Sequence, residues 1–198
     1  MKYLRYCFTI IICFFCFLAP LTSAQASAQV SPQRIAILPV QFMVASDARS
    51  DIAQLVTHPV VKKFHHALNN FTKKYEYLTV SDIEKELPEL YSYPYLSDDE
   101  LKDLADRLDA DILLAPIVAR CIDRQTYTFF DEMFQETYVE IHLIGYERSQ
   151  DHIIRLADSE QYWGSYATPF TGAPLTRDVM NRLINELEDN VPAPLINK

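Results

Sequence analysis

The segment LKDLADRLDADILLAPIVARCIDR, residues 101–124, changes its hydrophobic period at the midpoint. In the first half Leu101, Leu104, Ala105 and Leu108 recur three and four apart, the spacing of one helix face. Ser97-Asp98-Asp99-Glu100 just ahead has the form of a capping box, in which Ser and Glu exchange side-chain and backbone hydrogen bonds. From Ile112 to Arg124 the chain is a long apolar run of strand type. Pro116 lies inside that run and supplies no ladder donor, so a bulge or an edge position is expected there.

Downstream, Glu136 to Arg148 (ETYVEIHLIGYER) alternates. Val139, Ile141 and Leu143 share one face; Tyr138, Glu140 and His142 share the other. That is the pattern of a half-buried antiparallel strand. Ser149 to His152 reads as a turn, and a third strand follows from Ile153 to about Tyr166, with Trp163 near its end. After a Pro/Gly-containing loop, Thr168 to Pro174, the last helix carries Leu175, Val179, Leu183 and Leu187, widened by Met180 and Ile184. It is expected to stop before Pro192.

Upstream, Arg34 to Val40 (RIAILPV) reads as a strand ended by Pro39. Gln41 to Val56 is a looser stretch, with Ser46, Asp47, Ser50 and Asp51 as turn or capping residues. Thr57 and Pro59 mark a helix start, and Val60, Phe64, Leu68 and Phe71 give it an apolar stripe. Glu76 to Val80 is a second strand. Ser81 to Glu84 is a second capping box, opening a short helix that Pro88 stops, and Pro88 to Leu96 is a Tyr/Pro-rich loop. The order β-α-β-α-α-β-β-β-α predicts one α/β (α+β) domain over residues 34–190, a mixed sheet of about five strands with helices packed on it.

Residues 1–28 have the zones of a cleavable secretory signal: Lys2 and Arg5, an apolar run from Tyr6 to Leu18, then Pro20 and small residues. Two A-x-A sites are available, ending at Ala26 and Ala28, and cleavage is expected after Ala28. An apolar run of about 13 residues falls short of the roughly 20 that span a bilayer. Cys13 and Cys16 lie among Ile and Phe rather than in a lipobox, so no lipid anchor is expected. Residues 29–33 form a polar lead and 191–198 a C-terminal tail. The expected location is therefore exported, periplasmic or extracellular, with no transmembrane segment after signal removal.

Loss of Lys2 and Arg5 would take the formal charge from −9 to −11. Phosphate backbones and anionic lipids repel such a chain, so nucleic acid is set aside as a partner. Cys121 would be the one cysteine left, which excludes an intramolecular disulfide. A small buried hydrophobe is the simpler reading of it; an intermolecular bridge is the alternative.

No motif for catalysis stands out. The three glycines, Gly145, Gly164 and Gly172, form neither a phosphate loop nor a nucleophile elbow. His65 and His66 are adjacent on a helix and diverge by about 100°, too far to share an ion. Glu140 and His142 share a strand face and could place two ligands on one metal, short of the three or four that zinc needs. No cofactor is expected. The acids Asp98-Asp99-Glu100 are explained by the helix N-terminus they occupy.

The aromatic stretch Tyr127-Thr-Phe129-Phe130-Asp-Glu-Met133-Phe134 lies where two long strands must turn. Hairpin tips are normally polar. Such a tip either folds back as a minor core, onto the sheet or the Tyr91, Tyr93, Tyr95 loop, or serves as a partner-docking knob. Aromatics and Met are the usual anchors of interfaces.

The strand ending in Leu-Pro (Ile35 to Pro39), the Tyr77 to Glu86 strand and helix, the Ala105 to Ala119 stretch ADRLDADILLAPIVA and the strand Val139 to Tyr146 together resemble exported α/β domains of bacterial envelope proteins. These are of the type of the TolB amino-terminal domain, the LpoB activators of penicillin-binding proteins and the CsgG curli secretion lipoproteins. The resemblance implies a non-enzymatic adaptor or assembly module that binds an envelope protein partner. It carries over no functional residue, and this chain departs from the pattern in having Pro116 where a small residue is usual. A small-ligand-binding domain, or a secreted hydrolase with an unrecognised carboxylate or His site, are the competing readings; oligomeric state is left open.

Overall fold

A computed structural model describes residues 32–64, 75–78, 80–86, 96–127, 133–165 and 172–190. Their order is β1 (Gln33–Ile37), β2 (Gln41–Phe42), a 3-10 turn (Ala45–Asp47), α1 (Ser50–Phe64), β3 (Tyr75–Leu78), α2 (Val80–Glu86), α3 (Asp98–Arg107), β4 (Ile112–Tyr127), β5 (Met133–Glu147), β6 (His152–Ser165) and α4 (Gly172–Asn190). The signal region with Ala26 and Ala28, the Tyr91–Tyr95 loop, Leu68, Phe71, Phe129, Phe130 and residues 191–198 lie outside the described residues.

The sheet runs β3-β1-β4-β5-β6, with β2 also pairing β4. Pairing among β3, β1, β2 and β4 is parallel, and β4-β5-β6 is an antiparallel meander. This is the mixed α/β architecture the sequence predicts, with six strands rather than about five. The extra strand is the two-residue β2, too short to carry a pattern of its own.

Helices cover the sheet on both sides. On one face α1 and α4 enclose a core of Ile35, Ile37, Leu114, Val118, Val139, Ile141 and Leu143 with their own Ile52, Val56, Val179 and Leu183. On the other, α2 and α3 bring Ile83, Leu101, Leu104 and Leu108 against Ala36, Leu38, Leu113, Ile117, Ile144 and Tyr146. The period-2 strand pattern and the 3.6-period helix pattern thus meet at two buried layers.

Three local expectations are corrected. The helix expected to start at Thr57 begins at Ser50 and carries Pro59 inside it; its first turns already bury Ile52 and Val56, which extends the stripe of Val60 and Phe64 backwards. Helix α2 begins at Val80, so Ser81 sits in its first turn rather than ahead of it. Helix α4 begins at Gly172, so Pro174 lies in its first turn, where a missing N–H costs nothing.

Pro116 is neither at an edge nor in a bulge. It pairs with Leu143 in the central strand β4, and the register shift falls between Val118 and Arg120. The carbonyls of Leu114 and Val118 accept from Leu38 and Met43, so β4 turns those residues, and Pro116 between them, toward β1 and β2. Pro116 therefore faces the Pro39–Val40 break between those two strands, where no ladder donor is called for. At the close approach of β4 and β5, a Cβ on Gly145 would stand 2.3 Å from the Leu113 carbonyl oxygen, which explains the glycine.

The LDAD stretch also has a structural reading. Leu108 caps α3 and Asp109 takes the left-handed conformation, with φ at 48°. Ala110 N–H donates to the Ala105 carbonyl at 2.9 Å and Asp109 N–H to that of Asp106 at 3.1 Å, the bond pair of a Schellman motif. Asp111 then fastens the new strand: its carboxylate accepts from Arg34 N–H at 2.8 Å, and its own N–H donates to the Arg34 carbonyl at 2.8 Å. The Ser97–Glu100 capping box is present in both directions.

Candidate functional site

Strands β4 and β5 are longer than the sequence suggests, reaching Tyr127 and starting at Met133. Tyr127, Met133 and Phe134 therefore stand on strands rather than on the tip, and pleating divides them. Thr126 pairs with Phe134 and Tyr127 with Met133, so Phe134 lies on the face of α2 and α3 while Tyr127 and Met133 lie on the opposite face. Tyr127 is 65% exposed; Met133 and Phe134 are half-buried.

Phe134 has a partner that the sequence reading passed over. Trp163 stacks on it from β6, with ring centroids 6.3 Å apart and planes inclined by 26°. Trp163 is nevertheless 54% exposed. Its signal in the sequence was the odd position it shares with Ile153 and Arg155, but that face could be assigned only once the β5–β6 register was known.

The exposed residues lie beyond the N-terminal end of α3. Arg155 reaches α3, donating to the Leu96 carbonyl at 3.1 Å and to Asp98 at 2.6 Å. Beyond it, Ala157, Ser159, Gln161 and Trp163 are all exposed, and no helix among the described residues covers that half of the face. The uncovered strip also holds Tyr138, Glu140 and His142, and the Arg124–Glu136 ion pair at 2.6 Å.

Glu140 and His142 do share a face, as the alternation predicts, and they bond each other. His142 Nε2 lies 2.9 Å from Glu140 Oε1, and Tyr138 O–H donates to Glu140 Oε2 at 3.0 Å. The bond to His142 holds the Glu140 carboxyl below its ordinary range, and partial burial pushes the Tyr138 phenol up. No third His, Cys, Asp or Glu among the described residues completes a metal set with them.

On the opposite face, Asp47 is only 7% exposed and accepts from Cys121 N–H at 2.8 Å. The 3-10 turn thereby takes over from β2 as the neighbour of β4 just past the bulge. Asp123 accepts from Gln135 and from Thr137 at 3.4 Å, and pairs with Arg49 at 3.5 Å. Cys121 is buried, and desolvation raises its thiol pKa. These groups satisfy one another and explain the bulged strand.

A cleft of about 840 Å³ lies between α1 and α4, lined mainly by Leu55, Pro59, Val61 and Ala173 with Asp51 and Arg177. No helix among the described residues is long and apolar enough to cross a membrane.

The chain is thus a mixed α/β domain with helices on both faces of its sheet and an aromatic end that no described helix covers. No protein-family profile and no curated protein matches it. Solved structures share its outline. PelC from Paraburkholderia phytofirmans, a dodecamer, is 10% identical over 79% of this chain and 88% of that one, with a TM-score of 0.42. Lipoprotein GNA1162 from Neisseria meningitidis is 10% identical over 80% and 99%, with a TM-score of 0.40. The LpoB C-terminal domain from Escherichia coli is 11% identical over 67% and 84%, with a TM-score of 0.34. Bacterial lipoproteins and the LpoB domain are therefore among the proteins of similar outline, and at these scores the likeness identifies no subfamily and transfers no residue.

Proposed function

We propose that this protein is a non-enzymatic exported module of the bacterial envelope that docks a protein partner through the uncovered aromatic end of its sheet. The single observation behind this reading is the Phe134–Trp163 stack, which leaves a large indole more than half exposed on a flat strand surface. Large aromatics with one face open are the residues that anchor interfaces. Tyr127 and Met133 stand at the same end of the hairpin on the opposite face, and Phe129 and Phe130, which lie outside the described residues, are included by sequence as neighbours of the contact. The signal-like residues 1–28, with cleavage after Ala26 or Ala28, supply the route out of the cytoplasm.

The test is capture from envelope extracts by the tagged mature domain, beside a Phe134→Ala/Trp163→Ala variant that remains folded at the temperature of capture. A specific partner held by the former and lost by the latter supports docking. Equal capture by both, or none by either, contradicts it. Small-ligand binding is the second reading, favoured by the α1–α4 cleft, whose size suits a ligand site.

A further inference from the structure

We infer that Arg182 holds the free edge of β6 closed against a second copy of this chain. Strand β6 is the last of the sheet, and its outer side pairs with no strand among the described residues. A 14-residue edge strand is a template for another strand unless something blocks it.

The block sits at its centre. Ser159 N–H donates to Asp158 Oδ1 at 2.8 Å, and the Ser159 carbonyl accepts from Arg182 at 3.4 Å. Within an antiparallel strand both backbone groups of a residue point to the same side. With both taken by side chains, Ser159 turns them outward, away from β5. Arg182 reaches this point from α4 and is fixed there by Asp158 at 2.5 Å and Glu160 at 2.9 Å. A guanidinium fork can serve all three acceptors together, which an ammonium could not do with the same geometry.

The sequence of β6 says which strand is kept out. An antiparallel copy centred on Ser159 would set Leu156 against Tyr162 on one face and Arg155 against Trp163 on the other, an apolar pair and a cation–aromatic pair. Asp158 would oppose Glu160, the one like-charge pair in that register. Arg182 occupies the same spot.

The experiment compares the wild-type mature domain with Arg182→Ala/Asp158→Ala by sedimentation velocity and by amide hydrogen exchange. The variant is expected to self-associate at least about tenfold more tightly, with slowed exchange at the outward amides of Ala157, Ser159 and Gln161. A variant that associates no more tightly than wild type overturns the inference. So does association that leaves those amides fast, or a wild type in which they are already slow through self-pairing. If the double variant fails to fold, Arg182→Gln keeps the side-chain stem and frees the Ser159 carbonyl. It is expected to move in the same direction by a smaller factor, and no movement overturns the inference.

Discussion

The indole of Trp163 and the ring of Phe134 face each other at 6.3 Å across neighbouring strands, yet Trp163 is more than half exposed. A stacked aromatic pair contributes about 0.5–1.5 kcal/mol beyond its buried area. Single alanine variants at either position are expected to lower unfolding free energy by at least about that amount in urea titrations, with the larger loss at half-buried Phe134. Leu143→Ala, in the enclosed core, is expected to cost about 2–5 kcal/mol. A core-sized loss at Trp163 would mean that the pair is structural rather than offered to a partner.

Asp47 is the hinge between β2 and the bulged half of β4. Asp47→Ala leaves the Cys121 N–H without its acceptor and Arg120 without the carboxylate 3.7 Å away. The expected loss is about 1–3 kcal/mol in denaturant unfolding. Asp47→Asn, which keeps an acceptor oxygen, is expected to lose less.

Gly145→Ala is expected to destabilise by about 1–3 kcal/mol, because the new methyl meets the Leu113 backbone and has nowhere to go. The atoms nearest to the same change at Gly164 belong to the Tyr162 side chain rather than to the backbone, so a smaller loss is expected there. Thermal midpoints of the two variants should therefore separate clearly.

The Glu140–His142 bond predicts a titration. Glu140 has a depressed folded-state pKa, so its contribution to stability is present above the ordinary carboxylate pKa and is lost as pH falls through the folded value. His142→Ala is expected to move the Glu140 carboxyl upward, toward the ordinary range, in a carbon-13 NMR titration. An unmoved Glu140 would show that the bond does not form in solution.

Cys121 is buried, with a thiol that burial holds protonated. It is expected to resist aromatic disulfide reagents in the folded domain and to react at once in denaturant. Rapid reaction of the folded protein would revive the intermolecular bridge.

Periodicity alone carried much of this fold. The switch at Ala110–Asp111, the alternation of 136–148 and the stripe of α4 each place one buried layer, and the structure uses all three. What periodicity missed depends on register or on short pieces. Strand β2 has two residues, and Pro116, which in sequence signals a bulge or an edge, is accommodated in the central strand by the break at Pro39 beside it. The start of α1 was hidden because Thr57 and Pro59 imitate a helix beginning. For the site, Phe134 was visible by composition, but its separation from Tyr127 and its pairing with Trp163 needed the β5–β6 ladder. Asp47 read as a turn residue because its partner, a backbone N–H 74 positions away, leaves no mark in sequence.

Trp163 is the sole tryptophan in the chain, so its fluorescence reports the proposed docking surface without interference. Acrylamide quenching of the purified mature domain is the most direct test. Emission near that of indole in water, with efficient quenching that is suppressed when the captured partner is added, is the predicted result. Blue-shifted emission that resists quenching in the isolated domain would show the indole covered by its own chain, and would contradict the docking surface.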